Sequence, residues 1–284
     1  MRHHHLFIAL LIMLVGSSNA PAQKSQSAID YTNRALVRFA AGDFDAAIAD
    51  FDIAIIFDPN YAIAFFNRGT TQQLKQNLDE AIADYSRAVA LNPKLAEAYN
   101  NRCVALKNKG DLDAALADCN KAISIKPRLA GAYSNRGDIR RLNEDLDGAI
   151  ADYSKAIEID PRQADAYYNR GVVKYCKGDL NGAISDYDQS LRINPESAEA
   201  YCNRGVAKRG KGDLDGAIAD YSTPIKINPG QAWSYLNRGL ARMLKGMWAE
   251  ALIDFDQCLK LEPSLEARLA ERISTIKRQP GLSR

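Results

Sequence analysis

Apolar and polar positions alternate along this chain with a helical period. In residues 164–177, Tyr167, Gly171, Val172 and Tyr175 fall at helical spacing, so one face can pack while the other stays polar. Gly178 can end that helix, and Asp179 is placed to cap the next. The second segment packs Ala183, Ile184, Tyr187 and Leu191, and Pro195 ends it. This two-helix pattern recurs. Pro59, Pro93, Pro127, Pro161, Pro195, Pro229 and Pro263 follow one another at a constant interval of 34 residues. With proline at place 32, seven units run over 28–61, 62–95, 96–129, 130–163, 164–197, 198–231 and 232–265.

Other places align in the same frame. Place 4 is aromatic in every unit (Tyr31, Phe65, Tyr99, Tyr133, Tyr167, Tyr201, Tyr235), and place 20 is always Ala, from Ala47 to Ala251. Place 24 is aromatic in all units but one, which has Cys119. Place 8 is Gly69, Gly137, Gly171, Gly205 or Gly239, with Ala35 and Cys103 in the other two units. Small residues at places 8 and 20 let two helices approach, and the aromatics fill the space beside them. The period and the small/aromatic/proline pattern resemble the tetratricopeptide repeat. That resemblance implies an all-α fold, a right-handed superhelical solenoid of helix-turn-helix repeats in which each pair buries its surface only against neighbours. Residues 266–284 are expected to form a capping helix and tail, with Leu265, Leu269, Ile273 and Ile276 in one stripe.

Two places depart from the family pattern. Place 7 is Arg in all seven units (Arg34, Arg68, Arg102, Arg136, Arg170, Arg204, Arg238), and place 23 is Asp in all seven, from Asp50 to Asp254. Matched opposite charges at fixed places predict a repeated bridge between packed helices; the alternative is an Arg row gripping an acidic ligand. Pro224 falls inside a second helix and predicts a kink there.

The resemblance also implies that first helices line a concave surface and expose places 2, 5, 6, 9, 12 and 13. Place 6 is Asn in every unit: Asn33, Asn67, Asn101, Asn135, Asn169, Asn203 and Asn237. A ladder of amides can hold an extended peptide by its backbone, or it can bond neighbouring helices. Tyr168 and Tyr175 are candidate partner anchors, with Lys107, Arg141 and Arg209 as basic contacts and Glu97, Asp138, Asp165 and Glu199 opposing them. Place 2 holds no Lys, so the carboxylate clamp of chaperone-binding relatives is not carried over. Trp233, Leu236, Leu240 and Met243 form an apolar surface suited to self-association, unless the tail after Arg278 covers it.

Charge and composition narrow the function. With 37 basic and 35 acidic residues, the chain carries no electrostatic footprint for nucleic acid or an anionic membrane surface. Its histidines are His3, His4 and His5, inside a segment that reads as a secretory signal peptide: Arg2, an apolar run over Leu6–Val15, and Ala20-Pro21-Ala22 before a cleavage point at Gln23. We therefore expect residues 1–22 to be removed, 23–27 to lead into the repeats, and the product to be periplasmic or secreted with no stable membrane span. Without histidine, the remaining chain loses His-based acid/base, nucleophilic and zinc chemistry. Cys103 and Cys119 face one helix interface; buried thiols acting as small hydrophobes are the favoured reading, a disulfide the alternative. Cys176, Cys202 and Cys258 have no metal spacing, and the KGD segments are turns rather than phosphate loops. No metal, cofactor or catalytic residue is assigned. The expected function is a non-enzymatic scaffold for a protein or extended peptide, with a self-associating, homo-oligomeric assembly protein as the alternative.

Overall fold

The computed structural model describes residues 21–279. Residues 1–20, which hold most of the expected signal peptide, and residues 280–284 lie outside them. The described residues form α-helices joined by short turns, without a strand. In order these are α1 (Pro21–Ala40), α2 (Phe44–Phe57), α3 (Ala62–Leu74), α4 (Leu78–Leu91), α5 (Ala96–Lys109), α6 (Leu112–Ile125), α7 (Ala130–Leu142) and α8 (Leu146–Ile159). They continue as α9 (Ala164–Cys176), α10 (Leu180–Ile193), α11 (Ala198–Gly210), α12 (Leu214–Ile227), α13 (Ala232–Leu244) and α14 (Trp248–Leu261). A single 3-10 turn at Pro263–Leu265 then leads into α15 (Glu266–Lys277).

Local chemistry sets the helix ends. At place 15 the chain turns through left-handed backbone: Gly42, Gly110, Gly178, Gly212 and Gly246 take it without a Cβ penalty, while Gln76 and Glu144 take it at φ of 64° and 62°. One residue later, Asp43, Asp111, Asp145, Asp179 and Asp213 each accept a backbone N–H three residues on, capping α2, α6, α8, α10 and α12. At place 31, Asp58, Asn92, Asp160, Asn194 and Asn228 accept the N–H two residues on and shape the turn to the next repeat.

The close approach of paired helices rests on place 8. A Cβ built on Gly171 would lie 2.9 Å from the Tyr187 ring, and one on Gly205 would lie 2.7 Å from Tyr221. Those rings are buried beneath it. In the third repeat the same two places are joined covalently, because Cys103 and Cys119 form a disulfide. This corrects the expectation of free thiols: the contact that elsewhere seats a ring on a glycine brings two cysteines within bonding reach. Pro224 does not interrupt α12, which keeps the same 14-residue span as α10 and is closed by the Asn228 N–H on the Pro224 carbonyl.

The chain divides into two compact units, one up to Asn135 and one from Arg136, with the division inside α7. In the first, α1 packs on α2, α3 on α4 and α5 on α6, and α1 touches α3 as α3 touches α5. In the second, α9, α11 and α13 touch in the same way, each also packing on its own partner helix. First helices that touch in succession lie on the inside of the local curve. The second unit ends in an apolar cluster in which Leu265, Leu269 and Ile276 are buried against Leu236, Ala251 and Phe255.

Candidate functional site

The arginine row serves the fold. Each place-7 guanidinium grips the place-23 carboxylate of its own repeat through two donors; Arg170 Nε and Nη2 lie 2.9 and 2.7 Å from the Asp186 oxygens. Arg34, Arg68, Arg102, Arg136, Arg204 and Arg238 repeat the grip on Asp50, Asp84, Asp118, Asp152, Asp220 and Asp254. In five repeats the third nitrogen is used as well. Arg68 and Arg204 donate it to Asp52 and Asp188 of the preceding repeat, and Arg102, Arg170 and Arg238 donate it to Ser86, Ser154 and Ser222. A second cation one helical turn on reaches the same Asp in five repeats: Arg38, Arg140, Lys174, Lys208 and Arg242. Repeats two and three carry Gln72 and Leu106 there. At Asp84 burial pushes the pKa up, and Arg68, which also serves Asp52, pulls only partly against that. With these donors spent, Arg68, Arg102, Arg170, Arg204 and Arg238 have little left for an acidic ligand.

Beside it runs the asparagine row. Asn101 donates to Thr70 Oγ1, Asn135 to Asn100 Oδ1, Asn169 to Asp138 Oδ1 and Asn203 to the Tyr168 hydroxyl, at 3.5, 2.9, 3.2 and 2.9 Å. Each bond ties one first helix to the one before it. An amide has two N–H groups and an oxygen with two lone pairs, so these bonds fix its orientation and leave bonding capacity. Asn33 is exposed, while Asn67 and Asn237 are half-buried.

The tyrosine pair divides. Tyr168 is half-buried against Tyr187, with ring centroids 5.9 Å apart, and its hydroxyl is held by Asn203; burial raises its pKa, and Glu199 adds to that. It forms part of the wall. Tyr175 is exposed. Arg141 and Arg209 are half-buried beside the place-24 tyrosines of their repeats, where their charge opposes the upward pull of burial on Tyr153 and on Tyr221, which is pushed up to about 12. Lys107 is half-buried.

The surface assigned to self-association is largely covered. Leu236 is buried under Leu265, Leu269 and Ile276, and Leu240 and Met243 pack partly buried on that cluster. The reason is α15, which lies over them; the tail after Arg278 is not needed. Trp233 remains half-exposed and carries the Arg268 guanidinium 5.4 Å from its ring centroid.

Two hollows open among the first helices. In the first unit, Leu36, Phe39, Phe51 and Phe66 line an apolar recess of about 110 Å³ that also reaches Asn67 and Asn101. In the second, a cavity of about 440 Å³ is walled by Tyr168, Glu199, Cys202, Asn203, Gln231, Trp233, Ser234, Leu261 and Glu262. Sequence reasoning missed the part played by Glu262. Its signal was a long acidic side chain at place 31, where five units carry Asp or Asn.

Comparison with known proteins agrees with this architecture. The family model described as TPR repeat matches residues 73–110, 137–178, 173–209 and 207–246, and one described as Tetratricopeptide repeat matches 96–129. No curated protein matches the chain. Among solved structures, the chain is similar to YrrB, described as a TPR protein with an unusual peptide-binding site, at 23% identity over 66% of this chain and 97% of that one, with a TM-score of 0.59. It is similar to MamA at 28% identity over 57% of this chain and 95% of the other (TM-score 0.54). It also matches pilF of Pseudomonas aeruginosa at 17% identity over 76% and 96% (TM-score 0.67). The chain belongs to the tetratricopeptide repeat family, whose repeats build protein-interaction scaffolds.

Proposed function

We propose that this chain is an exported, non-enzymatic scaffold that holds an extended segment of a protein partner along its first helices. What carries the reading is the asparagine row: Asn101, Asn135, Asn169 and Asn203 are each oriented by one bond to the preceding first helix, with capacity left for a peptide backbone. The peptide-binding site ascribed to YrrB is in keeping with it. Export rests on the N-terminal sequence, and the Cys103–Cys119 disulfide suits an oxidising compartment. The side chains that select a partner are those the fold does not consume, and Tyr175 is an exposed aromatic among them.

Site-directed photocrosslinking tests this. A photoreactive residue at Tyr175 should capture a partner polypeptide in the exported fraction. The same group at Ile253, exposed on the second helix α14, should not. Equal capture from both positions, or capture from Ile253 alone, would sink the proposal. Mass measurement of the protein from that fraction should give Gln23 as its first residue.

A further inference from the structure

The 440 Å³ cavity of the second unit is built from a break in the repeat code. Places 2 and 31 of one repeat lie within reach of each other, as the third repeat shows: Lys126 at place 31 bonds Glu97 at place 2, at 2.7 Å. That bond holds the Glu97 carboxyl below its ordinary range. In the sixth repeat the carboxylate is kept, as Glu199, but place 31 is Asn228, which is spent on the N–H of Gly230. The seventh repeat has Trp233 at place 2 and Glu262 at place 31. The result is a hollow that collects two carboxylates and an indole. Among the described residues, neither Glu199 nor Glu262 forms a salt bridge; their bonds come from the hydroxyls of Ser197 and Ser264.

We infer that this cavity takes a basic side chain, lysine or arginine, from the partner segment. The ammonium or guanidinium of the ligand would supply from outside what Lys126 supplies from within in the third repeat. Trp233 already receives one cation, from Arg268 of α15, so the ring is placed for such a contact. The volume is ample for a Lys or Arg stem, whose methylenes would lie along Leu261 and the indole. Asn203, with its amide held by Tyr168, lies in the same wall and can bond the peptide backbone beside that side chain. This inference rests on the scaffold reading and adds the chemistry of one position of the bound segment.

The test uses the protein labelled with 5-fluorotryptophan, which has two fluorine reporters, Trp233 and Trp248. Probes are blocked Ala-Gly heptapeptides with a central Lys, Arg, Gln or Glu. The Lys and Arg peptides should move the Trp233 resonance saturably, leave that of Trp248 in place, and weaken as salt is raised. Replacing both carboxylates (Glu199→Gln/Glu262→Gln) should cost about fivefold to tenfold in affinity for the basic peptides, the scale of losing two solvent-exposed charge pairs. Equal titration by the Gln peptide, or unchanged Lys-peptide affinity in the double variant, overturns the inference. No saturable shift with any peptide does so too. The scaffold reading is judged separately, by the Tyr175 and Ile253 crosslinks. Both substitutions are on the surface, and retained helical signal in the variant shows that any loss is local.

Discussion

Asp186→Ala probes the charge network at one of its complete sites. The Asp186 carboxylate is buried and accepts Arg170 through two nitrogens and Lys174 Nζ at 2.8 Å; the partners' side chains are 17% and 22% exposed. Removing one member of a fully buried pair costs about 3–5 kcal/mol, because the remaining charge stays desolvated. Here both cations can turn part-way to water, so we expect about 2–3 kcal/mol. A global melt would blur that figure, because a repeat array unfolds as a series of coupled neighbours rather than in one step. Hydrogen exchange followed by mass spectrometry reads the loss locally. Amides of α9 and α10 should exchange roughly 30- to 150-fold faster, while those of α3 and α4 stay unchanged. Asp256→Ala, at an exposed carboxylate, should change nothing beyond about 0.5 kcal/mol. If Asp186→Ala behaves like Asp256→Ala, the network is ornamental and its bonds contribute no net stability.

Two further outcomes follow from the same geometry. Gln72→Arg should supply the second cation that repeat two lacks and stabilise the protein at neutral pH by about 0.5–1 kcal/mol, read by thermal melting. Burial raises the pKa of Asp84 in the fold, so its ionisation opposes folding: that contribution is absent below the ordinary carboxylate pKa and grows as pH rises through the raised folded value. The gain from Gln72→Arg should therefore fade toward zero below about pH 3, where Asp84 is protonated in both states; a gain independent of pH would refute the cause assigned. Cleaving Cys103–Cys119 with reductant should free a loop with a sequence separation of 16 and cost about 3 kcal/mol, seen as faster exchange in α5 and α6. No change after reduction is verified by mass would count against it, and Cys103→Gly/Cys119→Tyr should make the repeat indifferent to reductant.

How far the sequence could be read depended on whether identity or only character recurred. Arg at place 7 and Asp at place 23 never vary, so their pairing was legible and is present in every repeat. Their third and fourth partners were not, because place 25 is Asp, Ser or Asn and place 11 is Arg, Lys, Gln or Leu. A shared bonding role is concealed when several side chains can fill it. The disulfide was hard to read for another reason. Two cysteines at places 8 and 24 look like small packing residues until the backbone distance that suits glycine on a ring is known to suit sulfur on sulfur. Leu236 reads from the sequence as part of an open apolar surface, because periodicity along α13 says nothing about α15 lying over it.

That contrast bears on where function is sought. Residues that recur at every repeat are spent on the repeat itself: the arginines on Asp and on the preceding helix, the small residues on close packing, and the asparagines in part on their neighbours. A partner can be told from other chains only by side chains that the fold leaves unspent, and those lie where the repeat departs from its own rule. Place 31 makes a turn in five repeats, an internal salt bridge in the third, and one wall of an acidic, aromatic cavity in the seventh. The same place was thus released from a structural duty in two different ways, and in only one of them did the chain supply the countercharge. The cavity is specific because its missing partner can be read from the repeat that still has it.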